Sequence, residues 1–331
     1  MEADLSPPHC VRAAEHREYA PMHTLFRLGL RRLRRWAYVV LFTLLAISPA
    51  FAAEQLALLK SKRLPEASGI AVSQYDENRL WFINDSGNSA ELIAYEFLDD
   101  NYERLRVTNV KNRDWEDIES FSLEGTPWLA IADVGDNKGQ RKHVYVYLLP
   151  EPRDLEQDVE VPAKLKITYP DGARDVESLA IDSKTGSLYL LSKRDQFPQL
   201  YRVQIPNPLT AQKYEIVAEK LGVVTSIPQA TTQEAMLFGK YGKYLHQPTG
   251  MAMLSSAEGD AIALMTYRGA YLAQLGEDRD WLGALNDSLC PVQTPLLSQG
   301  ESIGADSQRW LYVTSEGKKA PLYRLEAKCR E

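Results

Sequence analysis

Three features of the 331-residue chain predict an all-β fold built as a β-propeller. After residue 53 no stretch carries a long 3.6-residue apolar period; Tyr, Val, Leu and Ile crowd instead into short runs bounded by turn residues, as strands do. A pentad recurs, as SGIAV from Ser68, EDIES from Glu116, ESLAI from Glu177, TGMAM from Thr249 and ESIGA from Glu301. Each pentad is followed by a polar turn and two further apolar runs. Repetition of one hairpin-linked unit is the mark of a radial array, in which the blades protect one another's edges without a closed barrel.

Taken in chain order, the second runs are RLWFI, PWLAI, SLYLL, AIALM and RWLYV. The third are ELIAYEF, HVYVYLL, QLYRVQI, AYLAQL and PLYRLEA, and weaker fourth strands read as ERLRVTNV, KLKITY and YEIVAEK. Successive pentads start 48, 61, 72 and 52 residues apart, the size of a four-stranded blade with its loops. Five blades are expected in a single domain of residues 53–331. Residues 221–246 interrupt the rhythm and form either an insertion or a short sixth blade, but no pentad marks a sixth start. EQLALLKSKRL (54–64) has no blade of its own and is expected to complete the last one. A pair of β-sandwiches would not account for the recurring pentad.

Residues 1–52 belong to a separate segment. A basic stretch, RLGLRRLRRW, precedes the apolar AYVVLFTLLAIS and the small residues of PAFAA, which is the order of a Sec signal peptide. The apolar run is short for a membrane span, although an uncleaved anchor is the alternative. Met22 stands directly before the basic stretch, so residues 1–21 read as an upstream extension, with Met1 and Met22 both open as starts. The expected location is periplasmic or secreted, with no membrane span in the mature chain.

Without residues 1–52 the chain keeps 31 basic and 41 acidic side chains, a net charge of about −10. No dense Lys/Arg stripe remains, which argues against nucleic acid as a partner. Cys290 and Cys329 are left in an oxidising setting and are expected to form a disulfide, while no Cys/His spacing suits zinc. Only His143 and His246 remain, and no GxSxG elbow occurs, so nucleophilic catalysis finds little support.

In a propeller the innermost strand leaves one face of the disc and the second strand returns to it. Residues before strand one and after strand two therefore converge at one mouth of the channel. At the strand-one starts stand Ser68, Glu116 with Asp117, Asp175 with Glu177, Thr249 and Glu301. After strand two come Asp85, then Asp133 with Asp136 and Asn137, then Lys193 and Arg194, then Tyr267 and Arg268, then Glu316. The two sets are offset by 17 residues for Ser68 and Asp85, 17 for Glu116 and Asp133, and 16 for Glu177 and Lys193.

Carboxylates gathered about one axis raise one another's pKa, so a cation is expected among them. Oxygen-only donors suit calcium, which accepts six to eight ligands in flexible geometry. The expected ligands are Asp85, Glu116, Asp117, Asp133, Asp136, Asn137, Glu177 and Glu301. Turn capping and pairing with Lys or Arg is the competing explanation, to which Asp85 and Asp136 are the most open. Lys193, Tyr267, Arg268 and Glu316 are expected to face a ligand, a small anion or a protein partner. Two functions fit this arrangement: a binding module with a structural metal, and a metal-dependent hydrolase of phosphate esters or lactones.

At these residues the chain resembles a family of exported bacterial β-propeller proteins. The resemblance rests on ASGIA (67–71), NDSG (84–87), DWEDI (114–118), ADVGDN (132–137), DVESL (175–179), TYRGA (266–270), ESIG (301–304) and TSEG (314–317). More distantly, in architecture, it is similar to calcium-dependent propellers of the phytase-like and gluconolactonase-like kind. That resemblance implies a metal in the channel that binds or activates a substrate; fold alone does not imply the reaction.

Overall fold

The computed structural model describes residues 53–60, 62 and 64–330; the expected signal peptide and both candidate starts lie outside them. Strand β1 (Ala53–Leu59) comes first, and the first complete hairpin array is β2 (Ala67–Val72), β3 (Arg79–Asn84), β4 (Glu91–Glu96) and β5 (Asn101–Arg106). The second blade holds β6 (Trp115–Leu123), β7 (Thr126–Asp133), β8 (Val144–Pro150) and β9 (Ala163–Thr168). The third begins with β10 (Val176–Asp182), β11 (Ser187–Ser192) and β12 (Gln199–Gln204), after which the chain makes β13 (Lys213–Val217) and β14 (Glu219–Val223). Two short helical pieces follow, α1 (Thr232–Leu237) and a 3-10 turn at Gly239–Tyr244. The fourth blade is β15 (Pro248–Ser256), β16 (Gly259–Thr266) and β17 (Gly269–Leu275), then helix α2 (Trp281–Asp287) and β18 (Cys290–Pro291). The fifth is β19 (Gly300–Ala305), β20 (Trp310–Ser315) and β21 (Ala320–Glu326).

Hydrogen bonding sorts these strands into five sheets, a five-bladed propeller. Apart from β13 on the edge of the second blade, the strands within each blade are antiparallel, and β1 pairs with β21, so the start of the domain supplies the outer strand of the last blade, as expected from residues 54–64. The sixth-blade alternative is not realised: residues 224–247 form the α1 and 3-10 insertion. One expectation is corrected. YEIVAEK is not a single fourth strand; it divides at Ala218. Its first half, β13, runs parallel to β9 on the edge of the second blade, and the chain then returns as β14, the fourth strand of the third blade. Ala218 is buried and its N–H is bonded to the Thr168 carbonyl, so the split point is anchored between the two blades.

Five apolar clusters, one between each pair of neighbouring blades, close the ring. Leu165 and Val146 of the second blade pack with Leu188 and Val203 of the third. Leu191 meets Met251 and Leu264 of the fourth, Ile303 joins Ala252, Leu322 joins Ile70 and Phe82, and Trp81 joins Ile118 and Leu129. Helix α2 is pinned by Trp281, whose ring stacks on Tyr189 with centroids 3.8 Å apart. The Cys290–Cys329 disulfide ties the C-terminal tail to β18, with Cα atoms 5.6 Å apart. Among the described residues no helix is long and apolar enough to cross a membrane.

Candidate metal centre and ligand site

The inner strand of every blade carries a β-bulge near its start. The pairing register slips between Ala67 and Gly69, between Trp115 and Asp117, between Val176 and Ser178, between Pro248 and Gly250, and between Gly300 and Ser302. The residues left unpaired are Ser68, Glu116, Glu177, Thr249 and Glu301. A bulge re-aims its extra side chain, and here all five point into one cavity of about 160 Å³ at the channel mouth. Two positions earlier, each inner strand is preceded by a polar residue just outside its first paired position. Glu66, Asp114, Asp175, Gln247 and Gln299 occupy that place, so an acidic or amide residue precedes every bulge.

The returning strands deliver the opposite wall. Backbone bonds from Asp85 to Glu66, from Lys193 to Asp175 and from Glu316 to Gln299 hold Asp85, Lys193 and Glu316 at matching places, and Tyr267 joins them in the lining. Six carboxylates and two cations, Lys193 and Arg194, line the cavity. Oxygens of Asp85, Asp114 and Glu116 lie within 4.8 Å of one another, as do those of Glu116, Asp175 and Glu177.

Two members of the second trio already have cationic partners. Glu177 accepts from the Lys193 ammonium, which also donates to the Tyr267 hydroxyl at 2.8 Å. Asp175 accepts from Arg194 and from the Asp136 N–H. Burial by itself would lower the Lys193 pKa, but Glu177 and Glu301 more than reverse this and hold it charged. Among the described residues no basic side chain forms an ion pair with Asp85, Asp114 or Glu116; Lys193 and Arg141 act on them only at longer range. Glu116 is 7% exposed, and no described residue donates a hydrogen bond to its carboxylate. Burial, then the charges of Glu177, Asp85 and Asp114, push its pKa well above the ordinary value. Asp85 and Asp114 are raised as well, in each case chiefly by burial. Glu301 is raised by burial, with Lys193 opposing.

Gly135 makes the close approach of this trio feasible. A Cβ built on it would stand 2.0 Å from Oε1 of Glu116 and 2.6 Å from Oδ2 of Asp114. The donors are hard oxygens, neither His143 nor His246 lines the cavity, and the free trio carries the charge a divalent cation would offset. The residues present therefore fit calcium better than a thiolate- or imidazole-seeking metal.

Of the residues singled out in the sequence, Asp85, Glu116, Asn137, Glu177, Lys193, Tyr267, Glu301 and Glu316 line the cavity. Asp117, Asp133, Asp136 and Arg268 do not. Asp117 is fully buried at the hub and accepts N–H bonds from Ile118, Leu179 and Met251, joining three blades. Gly69 is its neighbour on the first blade, where a Cβ would stand 2.7 Å from the Ile118 nitrogen. Asp133 turns inward to Arg141 at 2.9 Å and to the Tyr147 hydroxyl at 3.0 Å. Its pairing partner is Trp115, which makes it the counterpart of Asn84 and puts Val134 where Asp85 stands in the first blade. A shift of one residue exchanges the faces of a strand. Asp136 caps the loop through the Arg141 N–H. Arg268 is held by Glu234, at 2.9 Å through both Nε and a terminal nitrogen, and by the carbonyls of Pro228 and Gln229. Asp114 and Glu66 were not anticipated; the acidic or amide residue two places before each pentad start is the signal that marks them.

No family model matches the chain, and no curated protein matches it. Of three solved structures that superpose on the chain, one does so with a TM-score above 0.5. The Malassezia sympodialis allergen Mala s 1 superposes with a TM-score of 0.52 at 10% identity, over 83% of this chain and 97% of the allergen. The soluble aldose sugar dehydrogenase of Escherichia coli gives 0.46 at 14% identity, over 83% of this chain and 99% of the enzyme. A structure described as a putative gluconolactonase gives 0.42 at 15% identity, over 84% and 92%. The likeness to the allergen is one of fold alone.

Proposed function

We propose that this chain is an exported, calcium-dependent ligand-binding propeller. The cation is held at the channel mouth by Asp85, Asp114 and Glu116. The observation that carries this reading is the buried Glu116 carboxylate, which among the described residues lacks a hydrogen-bond donor and lies beside two further carboxylates that form no ion pair with a described basic side chain. Lys193 and Tyr267 line the same cavity, where a small anionic ligand is oriented against them. Export rests on the basic and apolar order of residues 27–53, and it would place the site where calcium is abundant.

An open cavity beside the trio favours a second reading, hydrolysis of a phosphate ester or lactone. A divalent ion in such a place supplies Lewis acidity and an acidified water. In that reaction Lys193 and Tyr267 would orient the substrate oxygens, and Glu177 would fix the ammonium.

Metal analysis of the purified mature chain, with melting curves in calcium and in chelator, tests the reading. Calcium at roughly 100 times its Kd should add about 2.7 kcal/mol, and Glu116→Gln should abolish the gain. Absence of copurifying metal, together with melting curves that calcium leaves unmoved in both proteins, would refute it. Turnover of p-nitrophenyl phosphate or a sugar lactone that is lost in chelator would select the hydrolase.

A further inference from the structure

A second cavity, of about 690 Å³, opens directly beside the acidic one and shares Lys193, Arg194, Tyr267 and Gln299 with it. Its volume falls within the ~300–1,000 Å³ typical of small-molecule sites. Its far walls are of another character: Phe238, Tyr244 and Leu245 from the helical insertion face Leu296 and Leu297 from the loop before β19. Phe238 and Leu296 remain 40% and 86% exposed, so large apolar side chains stand open to solvent at the rim of a concave site. Exposed apolar side chains gathered around a cleft mark a binding surface.

The charges of the cleft restrict what can enter. Lys193 is engaged by Glu177, Arg194 by Asp175 and Asn137, and Arg268 by Glu234. Every basic side chain lining the cleft thus has a carboxylate partner. The polar end opens onto six carboxylates, which repel an anion unless a cation sits among them.

We propose that the two cavities form one composite site for a small amphipathic oxyanion. Its apolar body lies between Phe238 and Leu296–Leu297, and its acidic head reaches past Tyr267 to the cation held by Asp85, Asp114 and Glu116. This rests on the cation reading above and adds the ligand class. Arg268 acts as the fastener of the insertion that forms one wall of the cleft, through Glu234 and the carbonyls of Pro228 and Gln229.

Isothermal titration of the mature protein with hexyl phosphate, inorganic phosphate and hexanol, in calcium and in chelator, tests it. In calcium, hexyl phosphate should bind at least about tenfold more tightly than inorganic phosphate, since each buried methylene contributes favourably. Chelator should remove that binding. Phe238→Ser and Leu296→Ser, both at solvent-open positions, should weaken hexyl phosphate by about fivefold or more while leaving calcium affinity unchanged. If calcium binds but hexyl phosphate gains nothing over inorganic phosphate, the composite site is wrong and the cation reading stands. If neither calcium nor hexyl phosphate binds, both fall. Hexyl phosphate binding that is equal in chelator would also overturn the composite site.

Discussion

Gly135 lies against Glu116 so closely that a single added methyl would stand 2.0 Å from Oε1 of the carboxylate. The motif DVGDN thus contributes a gap more than a ligand. Gly135→Ala is expected to displace Glu116 and Asp114 and weaken calcium by about 10–100-fold, the range for groups that orient metal ligands. Titration calorimetry with calcium reads this directly.

Glu116 and Asp117 are adjacent in sequence and opposite in role. Glu116→Gln removes one of several crowded charges, so the metal-free protein should melt higher, by about 2–4 °C for each kcal/mol relieved. Asp117→Asn leaves at least one of three buried backbone N–H groups poorly paired, at a cost of about 1–3 kcal/mol. Melting curves in chelator should therefore move in opposite directions for the two variants.

The raised carboxylates give a pH dependence of definite sign. Glu116 and Glu301 titrate above their ordinary value of 4.5 in the folded chain, because burial opposes their charge. The folded state consequently holds more protons than the unfolded one, and metal-free stability should fall as pH rises from about 4.5. Calcium needs the deprotonated forms, so the melting-temperature gain it gives should grow over the same interval. A calcium gain larger at pH 5 than at pH 8 would contradict this assignment.

Glu234 behaves in the reverse way. The Arg268 guanidinium and the Thr231 N–H bring it down to about 2. Its contribution is complete above about 4.5 and is lost as pH falls toward 2. The pair is partly exposed, so it contributes no more than about 1 kcal/mol, and the expected effect is local. Limited proteolysis within residues 228–247 should accelerate in acid, and Glu234→Gln should show the same acceleration at neutral pH.

Much of this architecture was legible in the pentads because each one contains the bulged position of an inner strand, and five equivalent bulges need five similar sequences. The positions facing them were harder to read. Ser68 to Asp85 and Glu116 to Asp133 both span 17 residues, yet only the first pair shares the mouth. Residues 73–78 join β2 to β3, whereas Glu124 and Gly125, both at positive φ, make a two-residue turn between β6 and β7 after longer strands. Equal spacing thus conceals a shift of one residue, and Asp133 faces Arg141. Arg268 was legible as a basic residue after strand two, but its partner Glu234 is 34 positions away in the insertion, and no local pattern announces that pairing. The parallel β13 escaped for a similar reason: YEIVAEK has strand chemistry throughout, and only the burial of Ala218 between two blades divides it.

Ala53, the first residue of β1, is paired with Leu325 near the other end of the domain. The first of the described strands must therefore wait for nearly the last before it gains its partner. Closing so long a loop is the slowest kind of contact to make. The ring is then a circuit completed by its own two ends, and a chain cut short before β21 would leave β1 without its partner and the last blade with only its two inner strands.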